Sequence, residues 1–403
     1  MPVPRSANVA LRTHVRGEGL RRSADRLHAE GGELPAHFLG GEDAIDGGVQ
    51  LEDQSNLPGK GKDDTGTPDA ALGFSWGPWQ APRPGPRGLE EIRMNRLFAV
   101  LAACAALAAA AFDLQGHRGA RGLLPENTLP AFEKALRLGV DTLECDMAIT
   151  RDGVVVIHHD LWLNPDTTRG PDGKWLEARG PAISELTFEE LQKYDVGRLK
   201  PGTDYARNFP DQVPVDGTRI PRLSDLFDLV KKSENTRIGF DCETKVNPNE
   251  RAATLAPEEF TRRAIAEIRK AGMAQRTMVQ SFDWSTLQVI QKEAPEIRTM
   301  YLTSEGSVRP RGPAGSPWLA GFDPARHGDS IPRSVKAAGG RIWAPNHATL
   351  TPALLAEAHA LGLVVIPWTI NDAPTINKIL DMGVDGIISD RPDLVLQERA
   401  RKR

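Results

Sequence analysis

The stretch FDLQGHRGARGLLPENTLPAF, residues 112–132, carries a strand, a loop and a helix in that order. Phe112 and Leu114 alternate into His117-Arg118-Gly119, then comes Pro125-Glu126-Asn127-Thr128, and a helical period begins. Thr128 or Asn127 is placed to cap that helix, whose apolar positions are Leu129, Phe132, Ala135 and Leu136. Basic and imidazole side chains at the end of a strand serve a site more often than a core.

The same alternation of strand and helix continues to the end of the chain. Expected strands are Phe112–Gly116, Thr142–Met147, Arg237–Glu243, Thr277–Gln280, Ile297–Leu302, Arg341–Ala344, Val364–Trp368 and Gly386–Ile388. Helical patterns lie between them, among them Leu223–Lys232, Pro257–Ala271, Trp284–Lys292, Pro352–Leu361 and Ala373–Met382. Gly139, Gly272, Gly362 and Gly383 stand where helices should stop. Eight such units predict an α/β fold, a TIM (β/α)8 barrel spanning residues 112–398. An open doubly wound sheet is the alternative, but no GxGxxG turn follows the first strand. The stretch at about 175–222 is too long for a simple crossover and reads as a lid inserted between early strands.

Upstream of this region the character changes. Residues 1–93 are crowded with Gly, Pro, Asp and Arg, show no sustained period and read as disordered. Met94, Asn95 and Arg96 then precede the uncharged run Leu97–Ala111. A short basic start, an apolar run and a small-residue end give the layout of a signal peptide over 94–111, too short to span a membrane at roughly 20 residues. The reading preferred here is that translation begins at Met94 and that cleavage leaves a mature chain starting near Phe112, periplasmic or secreted. Two alternatives are a disordered extension ahead of an internal anchor and a lipoprotein held through Cys104, after Leu101-Ala102-Ala103.

Apolar residues make up 40% of the 403 and charged residues 26%, enough for a sizeable core. A net charge of −4 gives no reason to expect a nucleic-acid partner. The three cysteines lack a CxxC spacing, which argues against a disulfide scaffold, zinc or thiol exchange. Cys145 and Cys242 neighbour acidic positions and should be buried thiols pointing into the strand–helix layer.

In a barrel the active groups gather at the C-terminal ends of the strands. The first strand delivers His117 and Arg118. The second delivers Glu144 and Asp146, two residues apart and so on one side. Residues 153–160 deliver His158, His159 and Asp160, and the next strand delivers Asp241, Glu243 and Lys245. Glu144, Asp146 and Glu243 would repel one another unless protonated or gathered round a cation. Oxygen ligands point to Ca²⁺ or Mg²⁺ rather than zinc. Arg118 and Lys245 would hold a phosphoryl group, and His117 and His159 would exchange protons with the attacking and leaving oxygens. His158 should face away and be structural.

These motifs, HRGARGLLPENTLPAF, TLECDMAITRDGVVVIHHD, FDCETK, VQSFD, PWTIND and GVDGIISDRPD, resemble the glycerophosphodiester phosphodiesterase family, particularly its secreted bacterial members. The resemblance runs from about Phe112 to Leu396. It implies a (β/α)8 barrel that hydrolyses a small-molecule glycerophosphodiester to an alcohol and sn-glycerol 3-phosphate with Ca²⁺ or Mg²⁺. It further implies that His117 and His159 are catalytic, that Glu144, Asp146 and Glu243 bind the metal, and that Arg118 and Lys245 contact phosphate. The insertion would cap the glycerol side, with Phe282 and Trp368 walling the pocket. Two other readings are a phospholipase D-like enzyme on larger lipid phosphodiesters and a non-catalytic binding protein.

Overall fold

The computed structural model describes residues 112–310 and 313–402. The expected extension 1–93 and signal segment 94–111 lie outside the described residues. All eight expected barrel strands form: β1 (Asp113–Gly116), β2 (Thr142–Ile149), β4 (Gly239–Thr244), β5 (Thr277–Ser281), β6 (Arg298–Thr303), β7 (Ile342–Pro345), β8 (Val364–Val365) and β9 (Gly386–Ser389). They run parallel in the order β8-β7-β6-β5-β4-β2-β1-β9. Backbone bonds from Asp385 to Val365 (3.0 Å) and from Ile388 to Pro367 (3.0 Å) bring the two ends together. An added strand, β3 (Val155–Ile157), pairs antiparallel with the far end of β2 and stays outside the barrel.

Thr128 is the cap of the first helix, Leu129–Leu138: its hydroxyl accepts from the Ala131 amide. That helix buries Ala131, Phe132 and Ala135 against the sheet. Each large apolar side chain buried this way contributes about 1.5–3 kcal/mol. The four expected stop glycines all have positive φ, between 72° and 85°. The core divides by strand alternation. Outward-facing Leu143, Cys145, Phe240, Cys242 and Val279 pack under the helices, while Met278, Met300, Leu302, Ile342, Ile366 and Ile388 form a separate cluster. The two cysteines are free, buried and 3.5 Å apart at Sγ, on registered positions of β2 and β4.

The insertion begins earlier than expected. Residues from Leu161 onward are already tied into it, since Leu163 donates to Pro181 and Arg169 exchanges backbone bonds with Asp195. It has its own core of Leu163, Ile183, Leu191 and Ile220 set on Ala148 and Val156. No helix among the described residues is long and apolar enough to cross a membrane.

The turn after β1 admits only glycine at position 119. Its φ is +85°, and a Cβ there would lie 2.7 Å from the backbone carbon of Ala131. Gly119→Ala should therefore lower the free energy of unfolding by about 2 kcal/mol or more, read as a shift of the urea midpoint at constant slope.

Candidate active site

Two elements set the geometry of the mouth: the register of β2 with β4, and the tight turn after β1. The register places Asp146 opposite Glu243 and Glu144 opposite Asp241. In the turn Arg118 is held at φ 49° and Asn127 at φ 56°, conformations that few side-chain-bearing residues adopt. Both are repaid locally. The Arg118 amide donates to Glu144 Oε2 at 2.7 Å, and Asn127 Nδ2 donates to Asp146 Oδ2 at 2.8 Å.

Glu144, Asp146 and Glu243 offer oxygens that all lie within 4.8 Å of one another. Two ligands on opposite sides of Ca²⁺, each at about 2.3–2.6 Å, span that same distance. Asp146 Oδ1 is buried without a hydrogen-bond donor, and no sulfur or imidazole is among the three. The residues therefore fit a hard divalent cation. Their electrostatics agree. Burial and the Asp146 charge push Glu144 well above the usual carboxylate range, and burial pushes Glu243 up to about 7 against the pull of Lys245. Asp146 moves the other way, because Arg118, His159 and Lys245 outweigh its burial.

Basic groups ring this cluster. Arg118 Nε is 3.2 Å from Asp146 Oδ2, and its Nη1 donates to Glu126 at 2.7 Å. Lys245 donates to Glu243 Oε1 at 2.8 Å and stands 3.7 Å from Asp146 Oδ1. Gln280, which the sequence reading passed over, donates to Glu144 Oε1 at 2.8 Å.

His117 and His159 are each fixed by a carboxylate at Nδ1, to Asp390 (2.6 Å) and Asp160 (2.6 Å) respectively. This leaves each Nε2 as the acceptor; that of His117 is 3.9 Å from Glu144. Burial holds both below the ordinary histidine value, His159 at about 4, helped by Arg118 and Lys245. His158 turns away, with its Nε2 3.4 Å from the Trp162 carbonyl.

The sequence reading did not find the clamp on His117. Asp390 is gripped twice by Arg121 (2.8 and 3.0 Å) and receives a bond from Asn371 (2.7 Å). The insertion in turn holds Arg121: Gln212 donates to its carbonyl at 2.8 Å, and the Phe209 ring lies 4.6 Å below its guanidinium. Tyr205 donates to Glu126. Arg121 and the SDRPD motif each stand in the sequence, but 269 residues separate the pair they form.

A cavity of about 170 Å³ joins these groups, lined by His117, Arg118, His159, Glu243, Lys245 and Gln280, with Phe282 and Trp368 among its apolar walls. Phe282 packs edge-on against Trp368 at 5.4 Å.

The sequence profile of the glycerophosphoryl diester phosphodiesterase family matches residues 117–394. A glycerophosphodiester phosphodiesterase of Caldanaerobacter subterraneus is 26% identical over 280 residues, covering 70% of this chain and 94% of that protein. A solved structure from Silicibacter pomeroyi, assigned as a glycerophosphoryl diester phosphodiesterase, is 36% identical with a TM-score of 0.66, covering 73% of this chain and 94% of that one. An Oleispira antarctica phosphodiesterase, solved with its product sn-glycerol-3-phosphate, has the same fold at 21% identity and a TM-score of 0.52, covering 72% of this chain and 96% of that one. A barrel whose mouth joins three acids, two carboxylate-held histidines and two basic groups defines a phosphoric diester hydrolase. The chain belongs to the glycerophosphoryl diester phosphodiesterase family.

The histidine environment is measurable. In the metal-free protein the imidazole NMR signals of His159 should titrate near pH 4 and those of His117 below 6.5. Arg121→Gln removes a nearby positive charge, so the His117 titration should move upward.

Proposed function

We propose that the enzyme hydrolyses glycerophosphodiesters to an alcohol and sn-glycerol 3-phosphate, using Ca²⁺ or Mg²⁺ at Glu144, Asp146 and Glu243 and the His117–His159 pair for proton transfer. The observation that carries this reading is the trio of buried acids within 4.8 Å, flanked by two histidines whose Nδ1 atoms are held by carboxylates. Bound there, a divalent cation supplies charge stabilisation for phosphoryl oxygens.

The protein's own groups do the rest. Arg118 and Lys245 face the cavity and bind non-bridging oxygens. Lys245 donates to Glu243 and lines the same cavity, so its ammonium lies within reach of a phosphoryl group held there. Water attacks phosphorus, the bond from phosphorus to the alcohol oxygen breaks, and the displaced oxygen takes up a proton. His117, held neutral by burial, accepts the water's proton at Nε2. His159 gives one to the leaving alcohol. The anionic phosphodiester beside it raises its proton affinity above that of the free site. Phe282 and Trp368 exclude water from the cavity wall.

The three acids distinguish this reading from a silent binding protein. Glu144→Ala, Asp146→Ala or Glu243→Ala should abolish turnover and metal binding by calorimetry while the circular dichroism spectrum persists. Chelation should do the same reversibly. Metal affinity unchanged in all three variants would refute the assignment.

Proton transfer gives a second test. His117→Ala and His159→Ala should each lower kcat by about 10²–10⁴-fold, with His158→Ala costing far less. A p-nitrophenyl leaving group needs no proton, so it should rescue the His159 variant and not the His117 variant. Rescue of the His117 variant alone would reverse the roles.

The signal-peptide layout of residues 94–111 further supports export to the periplasm or medium, a reading that rests on sequence alone. Intact mass of the exported protein should give a chain starting near Phe112; a lipid adduct on Cys104 would establish the anchored form instead.

A further inference from the structure

Beside the small cavity lies a larger one of about 430 Å³, and the two share His159, Glu243, Lys245 and Phe282 as a common wall. Neither His117 nor Arg121 lines it. A diester held at the three acids therefore has one half in each space. The smaller space, with Arg118 and Gln280, suits the glycerophosphoryl half. The larger one, at His159, receives the alcohol.

Leu161, Trp162, Leu163, Val246, Phe282 and Trp318 give it apolar walls beside its polar and charged groups. Its volume falls in the range of roughly 300–1,000 Å³ typical of sites that enclose drug-sized ligands. A two-carbon amino alcohol would leave most of it filled with water against apolar surface. The face of Trp162 that could receive a quaternary ammonium is covered by the Arg179 guanidinium, 4.1 Å from the ring centroid. Lys245 stands at the inner end. Three carboxylates line it as well: Asp160, bonded by His159 and Asn164, Glu243, bonded by Lys245, and Glu250, bonded by Asn247.

We propose that this second cavity is the alcohol subsite and that it selects diesters whose alcohol half is bulky and apolar, and so fills it, over the small alcohols choline and ethanolamine. The proposal rests on the hydrolase reading given above.

The test is the release of sn-glycerol 3-phosphate by the metal-loaded enzyme from sn-glycero-3-phosphoalkanols of ethyl to octyl chain length, with glycerophosphocholine and glycerophosphoethanolamine alongside. kcat/KM should rise by up to about threefold per methylene, reaching at least about tenfold for octyl over ethyl, with both amino alcohols at or below ethyl. Leu161→Asp should bring the octyl-to-ethyl ratio close to one. Equal rates along the series, or a preference for choline, would overturn the alcohol selection and leave the hydrolase reading standing. Release from none of the substrates would remove both.

Discussion

Asp146 and Glu243 face each other across two hydrogen-bonded parallel strands, with Glu144 one pleat further in. Neighbouring strands lie about 4.8 Å apart, so the sheet itself forces like charges together in a dry interior. Nothing in the barrel can relieve this by moving, because the same register sends Cys145 and Cys242 into the helix layer on the opposite face. A slip of one residue would exchange acids and thiols and destroy core and site together. The surrounding groups answer that constraint: two cations, the amide of Arg118, and the side-chain amides of Asn127 and Gln280.

The histidines belong to a second layer of the same solution. Each is oriented by an acid behind it, and each of those acids has further donors. Asp390, pinned by Arg121, Asn371 and His117, sits well below the usual carboxylate range because these partners outweigh its burial. Asp160 is likewise lowered by His159 and Asn164 against its burial. The insertion reaches the chemistry through the first of these chains, by way of Phe209 and Gln212 on Arg121. It thus braces the turn after β1.

Much of the barrel was legible because its signals are local. Each strand is a short apolar run with alternating acids or aromatics, and Gly139, Gly272, Gly362 and Gly383 mark the ends of four of the helices between them. The segment expected as Val364–Trp368 narrows to Val364–Val365, since Pro367 lacks the amide that would extend the ladder. The acids and His117 were legible for the same reason: strand ends and period-two spacing name them. The partnership of Arg121 with Asp390 was not, because no periodicity links residues so far apart. The start of the insertion was missed because residues 158–174 lack a hydrophobic period and are held by bonds to segments further along. Tyr205 gave no local sign of its reach to Glu126.

The insertion leaves and rejoins the barrel at almost one point. Val156 pairs with Arg222, and the Ile157 amide donates to Pro221 at 2.9 Å. Everything between hangs from a closed neck, so its length and shape are free of the strand register that fixes the acids. Leu161, Trp162, Leu163 and Arg179, which wall the larger cavity, all belong to that pendant segment. The same excursion carries His159 and Asp160 just inside its neck and reaches Arg121 through Gln212 and Phe209, so a change in its length or shape bears on the histidine pair and on the larger cavity together.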